Sequence, residues 1–219
     1  MPNNSFHAST PLIVTIGRSF GAGGREVGIA LADRLKIAYY DKELLSEAAR
    51  HAGLDAGLFE RNDERAPSFF AGLLPISMSY NVMSWYGGGG GAIGGETVYR
   101  AQADFMLEIA SRESCVIVGR TADYVLRNVP GAVRVFLHAP EDICIDRIMS
   151  RSDCHSRSEA RQLLRRTNRL RASFYKFYTG RTWGHASSYD LTLDSSTMAT
   201  DAIVDLIINY LRLRRLLPI

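Results

Sequence analysis

The sequence predicts an α/β fold in which helices cover both faces of a five-stranded parallel sheet. Three observations indicate this fold. Five short apolar or β-branched runs have the length of buried strands rather than of helices. Segments with helical periodicity separate these runs, as the crossovers between parallel strands require. A glycine-rich turn follows the first run and leads directly into a helical segment.

The predicted elements alternate along the whole chain. We expect strands at 12–16, 37–40, 115–118, 133–137 and 191–193, and helices at about 25–35, 41–52, 96–111, 141–151, 158–178 and 201–216. Asp41 and Asp201 are candidate helix N-caps, and Ser156 with Glu159 has the spacing of a capping box. A chain of 219 residues with 46% hydrophobic content fits one domain, 1–219.

Composition favours a protein of a reducing compartment without membrane segments. The three cysteines lack the C-x-x-C spacing of many metal and redox sites. The N-terminus has neither a basic start nor an apolar core, and no run reaches the roughly 18 apolar residues of a membrane helix. We therefore expect a soluble, cytoplasmic protein. A net charge of +3 is too small to indicate nucleic acid by itself.

The turn after the first strand has the layout of a phosphate-binding loop, or P-loop. Its residues are Ser19, Phe20, Gly21, Ala22, Gly23, Gly24, Arg25 and Glu26. Glycines let successive backbone N–H groups point inward, and the N-terminus of the next helix adds partial positive charge. The predicted fold is therefore a P-loop NTPase-like three-layer sandwich. A glycine-rich turn without a ligand is the alternative.

This loop departs from the usual pattern G-x-x-x-x-G-K-[ST] because it has no lysine. If Gly21-Ala22-Gly23 is aligned with the Gly-x-Gly of small kinases, Gly24 occupies the lysine position and Glu26 that of the hydroxyl residue. If Arg25 replaces the lysine, Ser19 occupies the position of the leading glycine. Arg25 can clamp a phosphate through its bidentate guanidinium. Glu26 is a poor replacement for a magnesium-binding hydroxyl, because a carboxylate repels polyphosphate unless a metal bridges them.

Residues 147–171 form an arginine-rich segment with eight arginines against two acidic residues. On a helix, Arg157, Arg161 and Arg165 share one face at i, i+4 steps, where like charges repel. An anion is therefore the expected partner, and we predict a helical lid at about 151–186 that closes over a transferring phosphoryl group. A solvated basic face or an RNA-binding patch is the alternative.

A second irregular segment, at about 66–95, contains five consecutive glycines and several aromatic residues. We interpret it as a flexible insertion in the single domain. The alternative is a segment that contacts the acceptor or forms a homodimer. The sequence does not decide between them.

Several motifs together resemble the cytidylate kinase-like group of P-loop proteins, relatives of the nucleoside monophosphate kinases. The resemblance runs from residue 13 to about 211. The similar segments are the loop at 21–26, YYDKEL at 39–44, VIVGRTADY at 116–124, RVFLHAP at 134–140, YKFYTG at 175–180 with WG at 183–184, and YDLTLDSS at 189–196.

This resemblance implies an ATP- and Mg²⁺-dependent phosphotransferase whose partners are a nucleotide donor and a small phosphorylated acceptor, CMP among them. It implies that Arg120 contacts the acceptor phosphate, and that Asp123 or Asp41 contacts its sugar or base. Asp123 is displaced from the family's Gly-Arg-Asp triplet. The lid residues Arg166, Arg169 and Arg171 would approach the donor phosphates, and Asn168 stands where aspartate is common. No magnesium ligand is assigned.

Two of these residues have a purely structural role as the alternative. Arg120 can pair with Asp123 across a turn, and Asp41 can be a helix cap alone. The competing function is a nucleotide sensor or partner-binding protein without transfer activity, which the missing lysine and Glu26 favour. RNA binding through the arginine-rich segment is the weakest of the three hypotheses.

Overall fold

The computed structural model describes residues 10–41, 91–151 and 154–217, with residues 91–98 described by their backbone alone. The chain divides into two compact units, Met1–Asp41 with Ile109–Ile219, and Lys42–Glu108. All strands of the sheet lie in the first unit. Of the second unit, the described part is one helical stretch that begins at Gly91. The single-domain organisation stays a prediction.

The sheet has the predicted five parallel strands. They are β1 Ile13–Arg18, β2 Ala38–Tyr40, β3 Cys115–Val118, β4 Ala132–His138 and β5 Leu191–Asp194, in the spatial order β2-β3-β1-β4-β5. The first strand is therefore central, with β3 on one side and β4 on the other. In such sheets, a ligand crevice opens at the carboxyl ends of strands where the strand order reverses, and here that position is the end of β1.

Helices flank this sheet as predicted. In the described part of the first unit they are α1 Gly24–Leu35, α3 Ala122–Val125, α4 Glu141–Met149, α5 Arg157–Thr179 and α6 Thr200–Leu213, with a 3-10 turn at Ala186–Ser188; α2 Gly91–Arg112 begins in the second unit. Val14 and Ile16 of β1 pack in one core cluster with apolar residues of α1, α4, α5 and α6. Ile13 and Ile117 alternate with these positions and are fully buried too. Both faces of the sheet are therefore covered.

Helix ends confirm one predicted cap and correct another. The Ser156 side chain accepts a hydrogen bond from the backbone N–H of Glu159 and so caps α5. The prediction that Asp201 is an N-cap is wrong, because Ala199 holds that position and Asp201 lies in the first turn of α6. An acidic side chain in the first turn still interacts favourably with the helix dipole.

Two other predictions fall partly outside the described residues. The helix predicted at 41–52 lies outside them, apart from Asp41 itself. The insertion predicted at 66–95 also lies outside the described residues, except for its last five residues, which belong to α2. The helix predicted at 96–111 begins earlier, at Gly91, since glycine lowers helix propensity without forbidding a helix. None of the helices in the described ranges is both long and apolar enough to cross a membrane.

Candidate functional site

The glycine-rich loop joins the end of β1 to the start of α1. Gly21 and Gly23 have φ angles of 79° and 78°, which only glycine adopts readily. Gly23 is the N-cap residue of α1, and no side chain caps the helix. The first amides of α1 are thus left for another hydrogen-bond acceptor, which is the arrangement that binds phosphate at a helix N-terminus.

The two glycines with positive φ face different surroundings. A Cβ atom at Gly21 would lie 2.7 Å from the backbone oxygen of Cys144, so α4 packs directly against the loop. A Cβ atom at Gly23 would meet only Nη1 of Arg147 at 3.8 Å and Oε2 of Glu26 at 3.9 Å. The open side of the loop is therefore at Gly23, between a guanidinium and a carboxylate.

Arg147 is held rigidly beside this opening. Its Nη1 donates to Oγ of Ser195 at 3.1 Å, and its Nη2 donates to the Ser195 backbone oxygen at 2.7 Å. Ser195 follows β5 and is almost fully buried, and its hydroxyl donates to the backbone oxygen of Ala22 at 2.8 Å. A continuous set of hydrogen bonds therefore links α4, the residue after β5 and the loop.

Glu26 lies on the other side of the opening and is paired with Arg151. The distance from its Oε1 to Nη1 of Arg151 is 2.6 Å. Its Oε2 is buried and has no hydrogen-bond partner. Arg151 offsets part of the repulsion that a bare carboxylate would exert on phosphate. The unpartnered oxygen is of the ligand type that Mg²⁺ prefers.

Arg18, the last residue of β1, is a site residue that the sequence interpretation missed. A Cβ atom at Gly24 would lie 2.6 Å from Cγ of Arg18, and one at Gly119 would overlap its Nη1. The side chain therefore runs from the loop to the end of β3. Its position in the sequence, where the leading glycine of the motif normally stands, was the available signal.

Arg25 does not share this space. Its side chain is 66% exposed, and its Nε lies 3.4 Å from Oδ2 of Asp41 at the end of β2. Asp41 is buried, and it accepts a weak hydrogen bond from the hydroxyl of Tyr39 at 3.4 Å. The structure thus brings two predicted site residues together, but at the β2 edge rather than over the glycine loop.

Helix α5 is attached to the loop by two of its side chains. The Asn168 side-chain oxygen accepts from the backbone N–H of Phe20 at 2.8 Å. Arg171 donates to the backbone oxygen of Arg18 at 3.1 Å, and its guanidinium lies 5.5 Å from the centre of the Phe20 ring. Asn168 therefore positions the loop through a neutral acceptor.

The other two predicted lid residues differ in exposure. A cavity of about 390 Å³ adjoins the loop and is lined by Ser19, Asn168 and the exposed Arg169, among others. Arg166 is half-buried on α5. The structure thus places Arg171 at the loop and Arg169 at the adjoining cavity.

The first half of α5 corrects the prediction of an unpaired arginine stripe. Arg157, Arg161 and Arg165 all form ion pairs with acidic residues of α4, namely Glu141, Asp142 and Asp146. Hydrogen bonds from Arg165 and then Arg161 keep the pKa of Glu141 below its usual value. The stripe does not need an external anion, because a neighbouring helix supplies the opposite charge.

A strained turn follows β3 beside the central strand. Gly119, Arg120 and Thr121 have φ angles of 86°, 59° and 54° in succession. Non-glycine residues pay roughly 1 kcal/mol or more each for this conformation, and such strain clusters at functional sites. Arg120 is 6% exposed. A buried arginine in a strained turn at the sheet's carboxyl edge fits a binding role.

Asp123 lies just beyond this turn and is hydrogen-bonded to helix α5. The Tyr175 hydroxyl donates to its Oδ2 at 2.7 Å. Burial raises the pKa of Asp123, while the bond from Tyr175 and the charges of Arg134 and Arg181 act in the opposite direction. Burial followed by the charge of Asp123 raises the pKa of Tyr175 as well. The sequence interpretation placed Asp123 at the acceptor but missed its link to α5.

A central glycine-rich loop, parallel strands and guanidinium groups around the loop define a P-loop kinase fold, the fold of nucleotide-binding phosphotransferases. The chain belongs to the cytidylate kinase-like family, whose model matches residues 13–197.

Solved structures share this fold. An uncharacterized protein from Eubacterium ventriosum is 25% identical, with a TM-score of 0.69 over 92% of this chain and 98% of that one. Shikimate kinase from Bacteroides thetaiotaomicron is 15% identical, with a TM-score of 0.53 over 92% of this chain and 98% of its own, and shares the fold. None of the curated proteins matches the chain.

Proposed function

We propose that this protein transfers the γ-phosphoryl group of ATP to a small phosphorylated acceptor, with CMP as the first candidate. The observation that carries the proposal is the start of α1, which no side chain caps and which the guanidinium of Arg147 faces across Gly23. Amides and a fixed guanidinium at one opening suit the charge and geometry of a polyphosphate. Cytoplasmic location and a homodimer stay predictions.

The loop residues fit a magnesium-bound donor. Ser19, Gly21, Ala22, Gly23 and Gly24 supply the backbone around the phosphates, and Oε2 of Glu26 is a free oxygen ligand. No cluster of three or more metal-ligating side chains occurs among the described residues, which suits Mg²⁺ because it usually keeps several waters and phosphate oxygens. When bound, the ion neutralises charge on the transferred group.

The acceptor is assigned to the edge formed by the ends of β2 and β3. Arg120 would bind an anionic group of the acceptor from the strained turn, and Asp41 with Arg25 would contact its polar part. The buried Asp123 is already bonded to Tyr175, so its role is to position the turn relative to α5. Arg166, Arg169 and Arg171 would approach the donor phosphates from α5.

The transfer itself requires little covalent chemistry from the protein. An oxygen of the acceptor attacks the γ-phosphorus, the bond from that phosphorus to the bridging oxygen of ADP breaks, and ADP leaves with the electron pair. An acceptor phosphate is already ionised at neutral pH, so no side chain must remove a proton. Positioning and electrostatic stabilisation by the guanidinium groups are then the main contributions.

A nucleotide sensor is the second candidate, favoured by Gly24 at the lysine position and by Glu26, a loop carboxylate paired with Arg151. Such a protein binds ATP or ADP without turning it over. The two functions share one pocket and differ in turnover. The ion pairs of α5 with α4, in contrast, weaken the argument for RNA.

Screening nucleoside monophosphates and small phosphorylated metabolites for acceptor-dependent ADP release tests the proposal. Calorimetry with ATP and ADP is run alongside. Arg147→Met should lower transfer by about 10²-fold, the usual loss on removing a preorganised charge stabiliser, whereas Arg34→Met is the matched control, since Arg34 pairs with Asp205 at the far end of α1. Nucleotide binding without ADP release on any acceptor would favour the sensor. No nucleotide binding would contradict both functions.

A further inference from the structure

We propose that Arg18 takes the place of the missing P-loop lysine and that its guanidinium contacts the donor phosphates. This inference rests on the proposed function, because it needs a polyphosphate at the loop. Two glycines, Gly24 and Gly119, make room for the side chain. The lysine was thus replaced by a cation from another position in the motif, six residues earlier in the chain.

The stem of Arg18 occupies the volume that a side chain at residue 24 would need. A Cβ atom at Gly24 would lie 2.6 Å from Cγ, 2.7 Å from Cβ and 3.2 Å from Cδ of Arg18. Gly24 is the first residue of α1, and its backbone is helical. Glycine is therefore required here for space and not for backbone conformation. Arg18 and a lysine at position 24 exclude each other.

The head of Arg18 lies at the end of β3. A Cβ atom at Gly119 would overlap Nη1 of Arg18 and would lie 3.1 Å from its Cζ. The Gly119 backbone N–H donates to the oxygen of Ile16 at 3.0 Å, so this turn is fixed against the central strand. The guanidinium thus sits between the loop and the turn that carries Arg120, which is the path from donor to acceptor.

Other cations near the loop fit the role less well. The guanidinium of Arg147 faces Gly23, whereas the side chain of Arg18 lies at the lysine position, Gly24. The guanidinium of Arg25 lies at Asp41 and its side chain is mostly exposed. The backbone of Arg18, in contrast, is fixed by the bond from Arg171 to its oxygen. A guanidinium in this place offers phosphate a bidentate fork where lysine offers a single charge.

A charge-removal test uses Arg18→Met, which keeps the stem and deletes the guanidinium. ATP and ADP affinity, measured by calorimetry, should fall by about 10- to 100-fold, the range expected for lost hydrogen bonds to a charged group. Arg18→Lys should retain most of the affinity. Arg34→Met is again the control and should change nothing. Thermal unfolding and circular dichroism confirm that each variant is folded.

A second test moves the cation back to the ordinary motif position. Arg18→Gly alone should weaken nucleotide binding, and Gly24→Lys alone should also weaken it because the new stem overlaps Arg18. The double variant Arg18→Gly with Gly24→Lys should recover at least tenfold relative to Arg18→Gly. Together with the loss in Arg18→Gly, this recovery would indicate that the loop needs one cation in this space, and it keeps the proposal testable if Arg18→Met does not fold.

The outcomes separate this inference from the proposed function. Unchanged affinity in folded Arg18→Met, or a double variant no better than Arg18→Gly, would overturn the assignment of Arg18 while leaving nucleotide binding intact. An unaltered protein that binds neither ATP nor ADP would overturn the proposed function and this inference together. Loss in Arg18→Met with recovery in the double variant would support it.

Discussion

Replacing Tyr175 by phenylalanine should destabilise the protein, because it leaves the buried carboxyl of Asp123 without its 2.7 Å hydrogen bond. The bond is buried, and Asp123 is only 7% exposed, so water cannot replace the hydroxyl easily. Leaving a buried acceptor unsatisfied costs about 1–3 kcal/mol. For a chain of this size, the expected fall in Tm is roughly 2–12 °C.

The stability lost in Tyr175→Phe should increase with pH. Burial raises the pKa of Asp123 above its ordinary value of 3.8, so the contribution of this group to stability is largest below that value and falls as pH rises through the folded pKa. Tyr175 counteracts the rise by stabilising the ionised form. The penalty of Tyr175→Phe should therefore grow with pH above 3.8 and level off once Asp123 is ionised.

Urea unfolding at several values between pH 4 and pH 8 measures this difference. Tyr40→Phe is the matched control, because the Tyr40 hydroxyl also donates to a carboxylate at 2.7 Å, that of Glu113, but at the exposed surface. The free energy of unfolding lost in Tyr40→Phe should stay below about 0.5 kcal/mol. Equal losses in both variants, or a Tyr175→Phe penalty that is constant or falls with rising pH, would refute the reasoning.

Three further changes test other parts of the site. Gly21→Ala should destabilise by more than about 1 kcal/mol in urea unfolding, since its φ is 79° and the new Cβ would lie 2.7 Å from the Cys144 oxygen; a neutral result would contradict the packing. Burial raises the pKa of Asp190, but hydrogen bonds from Arg134 outweigh burial, and the net effect is a lowered pKa. Asp190→Asn should therefore cost more stability at pH 7 than at pH 3, because the stabilisation declines as pH falls from 3.8 towards the lowered pKa. A non-hydrolysable ATP analogue should slow hydrogen exchange in residues 168–178, and unchanged exchange there would contradict the contact of α5 with the loaded loop.

Local patterns account for the parts of the fold that the sequence predicts well. Apolar runs and helical periods depend on neighbouring residues, so the five strands and the helices of the described residues follow from the printed order. The ends of the strands depend on pairing with neighbouring strands instead. β1 extends past its apolar run to Arg18, because Gly17 and Arg18 pair in register with Phe136 and Leu137 of β4.

The arginine stripe shows where such local reasoning ends. The periodicity of α5 correctly places Arg157, Arg161 and Arg165 on one face. Their partner acids begin at Glu141, on a different helix, and only the packing of α4 against α5 brings the charges together. A count of charges within one segment therefore overestimates the need for an external anion.

The loop shows the same limit at a finer scale. Both sequence alignments of the motif look for a cation after the glycines, at residue 24 or 25, because that is where the lysine usually stands. The available space does not allow a cation at residue 24. Gly24 has no side chain because the stem of Arg18 already lies there, and Arg25 turns to Asp41. A glycine in an ordinary helical conformation, where alanine would raise helix stability, indicates that a neighbour needs the volume. Gly24 is such a glycine, and the neighbour that fills its space carries a charge.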